Sequence, residues 1–217
     1  MSDILREVDE AMRVEKMTRL WAEHGNTVIA AIVALILGTA LSSGWNAWQH
    51  HQHLKSTSAL LDSLQTDSPL ASLETLGKTE KGNAKAFSLL TAAAIALDEK
   101  SPDQAIALYK TLAADSSVSS VFRHLALVQK VAIELDGKTE TSSAQMLADL
   151  APIIKDKTSP WQARALLLSA LVKAHKNQDN SGAIADLETL SAIPNLSLTV
   201  KEQALALRQV YKLEGAK

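Results

Sequence analysis

The chain contains no cysteine. That single absence removes disulfides, thiolate catalysis and cysteine-ligated zinc or iron–sulfur centres. Aromatic residues make up only 4% of the sequence, so alanine and leucine supply the bulk of any core. Glycine occurs eight times, and Gly25, Gly38 and Gly44 fall in or beside one apolar stretch, which leaves little material for a phosphate-cradling loop. A Gly-rich phosphate loop, H-E-x-x-H and G-x-S-x-G are all missing, so no catalytic residue and no cofactor is expected and the chain reads as a non-enzyme. No Asn-Gly or Asp-Gly pair is flanked by strand-like runs, and alternating β-branched stretches are few, which argues against sheets. An excess of positive charge is missing too. Beyond residue 49 there are 18 Lys plus Arg against 18 Asp plus Glu, which argues against a nucleic-acid partner.

What the chain does have is one uncharged stretch, Thr27 to Trp48, lying between Glu23 and Lys55. As a helix it spans about 30 Å, the thickness of a bilayer's hydrocarbon core, and so it reads as a transmembrane helix. Trp21 stands at one edge and Trp45 and Trp48 at the other, where indole rings favour the membrane interface. The preceding 26 residues hold six acids beside Arg6, Arg13, Lys16 and Arg19, which is unlike the short basic start of a signal peptide, so an uncleaved anchor is expected. The same four basic residues, against Lys55 alone within about 20 residues beyond Trp48, predict a cytoplasmic N-terminus with the remainder across the membrane, in the periplasm of a Gram-negative bacterium's inner membrane or outside the membrane otherwise. Gly38, Ser42 and Gly44 offer a small-residue face on which another membrane helix can pack.

The expected organisation is a cytoplasmic amphipathic segment over 1–26, the membrane helix over 27–48, a helical stalk over 49–67 and an all-α domain over 68–217. Ser101-Pro102-Asp103-Gln104 and Ser159-Pro160-Trp161-Gln162 each combine a capping Ser, a Pro at the first helical position and a Gln three residues after the cap. Apolar spacing then predicts helices over 83–98, 102–114, 118–135, 142–155, 160–176, 181–192 and 197–213, with Ser68-Pro69 ending the stalk. Ala105 with Tyr109, and Ala183 with Leu187, set a small residue one turn before a bulky one, the pattern of the second helix in a tetratricopeptide-like repeat. Ala93 and Ala170 supply small residues on the partner helices, while the loop Gly137–Thr141 lengthens the middle pair and spoils its fit. The expected fold is thus a membrane helix followed by degenerate tetratricopeptide-like hairpins.

Other residues attract chemistry only weakly. His50, His51 and His53 cluster beyond the apolar stretch but lack a completing ligand, so they read as interfacial histidines and no metal is expected. Ser169 and Lys173 stand one helical turn apart and read as an ordinary surface pair.

The segments W-A-E-H-G-N at Trp21–Asn26 and G-W-N-A-W-Q at Gly44–Gln49, followed by the repeat-like domain, resemble the bacterial ancillary subunit family of the SecYEG translocon. F-R-H-L-A-L-V-Q at 122–129 and P-W-Q-A-R-A-L at 160–166 add to the resemblance. It implies a membrane-tethered adaptor that associates with translocon subunits and with a membrane-anchored periplasmic chaperone and assists newly exported clients. A competing expectation is an accessory or assembly subunit of another inner-membrane complex, a respiratory one for instance.

Overall fold

The computed structural model describes residues 57–137 and 141–215, within a compact unit running from Ser56 to Lys217. All regular structure among them is helical: α1 (57–64), α2 (Pro69–Thr79), α3 (Gly82–Asp98), α4 (Pro102–Ala114), α5 (Ser120–Asp136), α6 (Ser143–Lys155), α7 (Gln162–Asn177), α8 (Asn180–Ser191) and α9 (Leu198–Glu214). None of the described helices is long and apolar enough to cross a membrane. The expectation is corrected to this extent: no transmembrane helix is among the described helices. Thr27–Trp48 lies outside the described residues, and with it Trp21, Trp45, Trp48, Gly38, Ser42, Gly44, His50, His51 and His53.

Helix starts follow local chemistry. The Ser142 hydroxyl accepts from the Gln145 N–H at 3.3 Å, and the Asp179 carboxylate accepts from the Gly182 N–H at 2.8 Å, each satisfying a donor the helix itself cannot pair. Between α3 and α4 the chain reverses through Lys100 at φ 59°, and the Ser101 N–H returns to the Ala96 carbonyl at 2.8 Å. The Ser101-Pro102 start lies where expected, yet the Ser101 side chain caps nothing. At the second box, α7 begins only at Gln162, because the Ser159 hydroxyl is taken by the Trp161 N–H and by His124 Nδ1.

Successive helices pack on one another from α2 to α5 and from α6 to α9, while α5 rests on both α6 and α7. Three apolar cores result, one around α2 to α5, one joining α5, α6 and α7, and one joining α7, α8 and α9. Leu60 of α1 packs against the first, so helical residues assigned to a stalk contribute to the domain core. Gly77 is buried where α2 meets α3, and a Cβ there would lie 2.5 Å from Leu89 Cδ2, so any larger residue would force the Leu89 side chain to move.

The even-numbered helices repeat one sequence pattern with matched burial. Ala105, Tyr109 and Leu112 of α4 correspond to Met146, Leu150 and Ile153 of α6 and to Ala183, Leu187 and Leu190 of α8, and all nine are buried. Asp115 closes α4 and Asp156 closes α6 at the same offset, and each accepts from the backbone N–H two residues on. Helix α2 carries the tail of the pattern, Ser72-Leu73-Glu74-Thr75-Leu76, against Asp186-Leu187-Glu188-Thr189-Leu190 in α8.

Candidate functional site

A groove of about 520 Å³ lies between α4 and α6, with residues of α5 also lining it. One side is apolar, formed by Ile106, Ala113 and Ala114 of α4 with Leu127 of α5. The other is polar, and its centre is Lys130, a lysine only 6% exposed. Lys130 Nζ donates to Asp149 Oδ2 at 2.6 Å and to Glu134 Oε1 at 2.9 Å. Thr141 Oγ1 donates to the same Glu134 oxygen at 3.0 Å, and Gln145 Nε2 donates to Asp149 Oδ1 at 2.9 Å. Burial works against the Lys130 charge, but the hydrogen bonds and charges of Asp149 and Glu134 outweigh it and hold the pKa above the ordinary lysine value. An amine kept protonated in this way is a poor nucleophile at neutral pH.

A lysine–aspartate tie recurs in the next hairpin. Lys173 Nζ reaches Asp186 Oδ2 at 2.6 Å, and the Ser169 hydroxyl donates to the same oxygen at 2.6 Å. Asp149 and Asp186 each follow the first residue of their helix by six positions. Ser169 is buried, so it is not half of a surface pair: with Lys173 it fastens α7 to α8 through an acid the sequence reading did not connect to them.

A second feature is an aromatic edge at the starts of the odd-numbered helices. The rings of Phe87 on α3 and Phe122 on α5 meet edge to face with centroids 5.2 Å apart. Beside Phe122, the Val121 carbonyl accepts from Trp161 Nε1 at 2.9 Å. Phe87 is 50% exposed and Val121 43% exposed. These are both phenylalanines of the chain and the one tryptophan outside the first 48 residues. None of α3, α5 and α7 carries an acid in its first turn.

The residues singled out for the repeat pattern lie in the cores rather than at a surface: Ala93, Ala105 and Tyr109 in the first, Ala183 and Leu187 in the third. Neither the groove nor the aromatic edge was foreseen. Lys130 and Glu134 at i,i+4 spacing were the only local signal for the first, and Phe122-Arg123-His124 was noticed only for a resemblance. Among the described residues, no group of three or more His, Asp or Glu is placed to hold a metal. His124 and His175 serve as ties, to Ser159 at 3.0 Å and to the Tyr211 hydroxyl at 3.3 Å.

A family model described as "Protein of unknown function (DUF2659)" matches residues 1–211. No curated protein and no solved structure matches the chain. These findings link the chain neither to the Sec translocon nor to a chaperone, which corrects the expectation of both roles. The match covers nearly the whole chain, and on that ground the protein belongs to the DUF2659 family.

Proposed function

We propose that this protein is a non-enzymatic adaptor that binds a protein partner along its aromatic edge. Its domain is a degenerate tetratricopeptide-like stack of hairpins, a reading supported by the pattern shared among α4, α6 and α8. The uncharged stretch Thr27–Trp48 and the basic residues before it support a place at the bacterial inner membrane, with the helical domain on the exported side. Confinement there raises effective concentration, so modest contacts suffice for function.

The observation that carries the reading is the exposure of Phe87 and Val121 beside Phe122 and Trp161 in a domain otherwise short of aromatics. Clustered aromatic side chains are the usual anchors of protein interfaces, and a monomer gains nothing by leaving them in water. Among the described residues, three side chains that could serve as nucleophiles are engaged elsewhere, which supports the non-enzymatic part: Lys130 is held protonated, and Ser169 and Lys173 both bond to Asp186.

The test is a photo-crosslinking residue at position 87 in the full chain, activated in intact membranes, with the captured proteins identified. A discrete protein that is lost on Val121→Asp supports the adaptor reading. Translocon subunits among the products would place it at the Sec machinery, and subunits of another complex would make it an accessory of that assembly. Products unchanged by Val121→Asp, or no protein product, would overturn it.

A further inference from the structure

We propose that the aromatic edge receives an acidic segment of the protein partner, a short run of Asp and Glu flanking one apolar anchor. The inference deepens the adaptor reading and rests on it: that reading names the edge, and the charge around the edge names the chemistry of what it binds.

Successive packed helices joined by short connections reverse direction, so the connections fall at two opposite ends of the stack. At the aromatic end, side chains tie three connections together. The Gly82 N–H donates to Ser117 Oγ at 3.5 Å, Lys85 pairs with Asp115, and Trp161 Nε1 donates to the Val121 carbonyl at 2.9 Å. From the last turn of one helix through the first turn of the next, these connections span 76–85, 111–123 and 152–165, and they hold seven bases against three acids, a formal charge of +4. The fourth connection at that end, 188–201, is neutral, which centres the charge on the aromatic residues. The connections of the opposite end, 95–105, 133–146 and 174–183, hold three bases against seven acids, one of them the buried Glu134. The balance of 18 bases and 18 acids beyond residue 49 thus conceals a positive aromatic end and a negative far end.

Two of the acids at the aromatic end are turned into their own connections. Asp115 is held by Lys85 and the Ser117 N–H, and Asp156 by the Thr158 N–H and hydroxyl. Lys81, Lys155, Lys157 and Arg164 are exposed, and neither they nor Arg123 form an ion pair among the described residues. Arg123 follows Phe122 directly, and its Nε is buried without an acceptor among those residues. An apolar side chain set down on Phe87 and Val121 brings the carboxylates beside it among these cations, where each gains charge-assisted hydrogen bonds. A membrane surface also offers negative charge. Its headgroups form a continuous sheet that would press phosphate against Asp115 and Asp156, whereas a peptide of a few residues fits between them.

The experiment measures the anisotropy of a rhodamine-labelled peptide, Gly-Glu-Asp-Phe-Glu-Asp-Gly amide, on the full chain in mild nonionic detergent at low salt. Its isostere, with Gln and Asn in place of the acids, is run beside it. The acidic peptide should bind at least about tenfold more tightly than the isostere and lose that advantage as salt rises. Arg164→Glu and Lys157→Glu, both at exposed positions, should each weaken it by about threefold or more, and Glu99→Lys at the opposite end should leave it unchanged. Equal binding of the two peptides, or equal weakening by Glu99→Lys, would overturn the proposal. So would a photo-crosslinker at position 87 that labels lipid instead of the peptide when the full chain sits in phosphatidylglycerol vesicles, an outcome that assigns the edge to a membrane. Partner capture from position 87 that survives Arg164→Glu combined with Lys157→Glu removes the acidic chemistry and leaves the adaptor reading standing. Peptide binding by a chain whose position 87 captures no protein supports the chemistry and removes the adaptor reading alone.

Discussion

The hairpins α3/α4 and α5/α6 solve one packing problem with different residues. In the first, Ala105 and Leu108 of α4 are buried in an apolar core shared with its neighbours. In the second, Met146 stands where Ala105 would, Asp149 stands where Leu108 would, and Lys130 and Glu134 come up from α5 to meet the acid. The difference teaches where specificity is kept. An apolar seam tolerates any partner of suitable shape, whereas a buried ammonium between two acids accepts only one register of α5 against α6, at the cost of desolvating all three groups.

The largest effect that would break this comparison comes from removing the ammonium. Lys130→Ala leaves Glu134, 1% exposed, and Asp149 without their shared cation, and should cost about 3–5 kcal/mol in urea unfolding of the full chain. Lys130→Met with Glu134→Leu and Asp149→Leu imitates the apolar hairpin and should recover most of that loss, because a well-packed apolar set commonly equals or exceeds a buried ion pair in stability. An unshifted midpoint for Lys130→Ala would mean that the cluster is wetter than its burial implies.

Next in size is the methionine. Met146 is fully buried in the second core, so Met146→Ala should cost about 2–4 kcal/mol through lost contacts and a residual cavity. If the middle hairpin instead closes up as the first one does around Ala105, the cost will fall below about 1 kcal/mol, and the two seams will prove interchangeable.

Much of the fold was legible, and the reasons are local. Helix 102–114 was read with the bounds α4 has, because Ser101-Pro102 and the Ala105, Tyr109, Leu112 spacing agree on one helix. Helix α2 was missed because Ser68-Pro69 reads as a stop, while the same pair also starts a helix when Pro occupies the first turn. The α4–α6 groove was hidden for a different reason. Lys130 and Asp149 are 19 positions apart across a loop whose length sets the register, and no short motif records such a contact. The middle repeat went unread because Met146 replaces the small residue on which recognition relied.

Smaller effects separate the turns from the seams. Asp115, Asp156 and Asp179 all have carboxyl pKa values held below the usual range, chiefly by hydrogen bonds from Lys85, the Thr158 hydroxyl and the Gly182 N–H respectively. Each folded pKa lies below the unfolded value of about 3.9, so their contribution is present above that pH and lost as pH falls through the folded pKa. Lys130 has the opposite sign: its raised pKa contributes stability below about 10.4, lost as pH rises through the folded value. Urea midpoints of the full chain should therefore fall on the acid side below about pH 4 through the turns, and on the alkaline side through the middle hairpin. Lys130→Met with Glu134→Leu and Asp149→Leu should flatten the alkaline limb, and an alkaline limb left unchanged in that variant would show that Lys130 does not carry it.

The smallest expected effect sharpens the comparison at the helix starts. Ser142 opens α6 and its hydroxyl accepts from the Gln145 N–H, whereas Ser101 opens α4 with Pro102 at the first helical position and makes no such bond. Proline at the first position removes one of the helix's unpaired donors and presets the backbone for the first turn, so α4 starts without a side-chain cap from its serine. Gln104, three residues after that serine, sends its amide instead to Glu74 on α2 at 2.6 Å, so the apparent capping box joins two helices rather than closing one. Ser142→Ala should accordingly cost about 0.5–1 kcal/mol, and Ser101→Ala less than about 0.3 kcal/mol, in paired urea titrations of the full chain. Equal costs would mean that Ser101 caps α4 in solution, and that the first hairpin begins with the same device as the middle one.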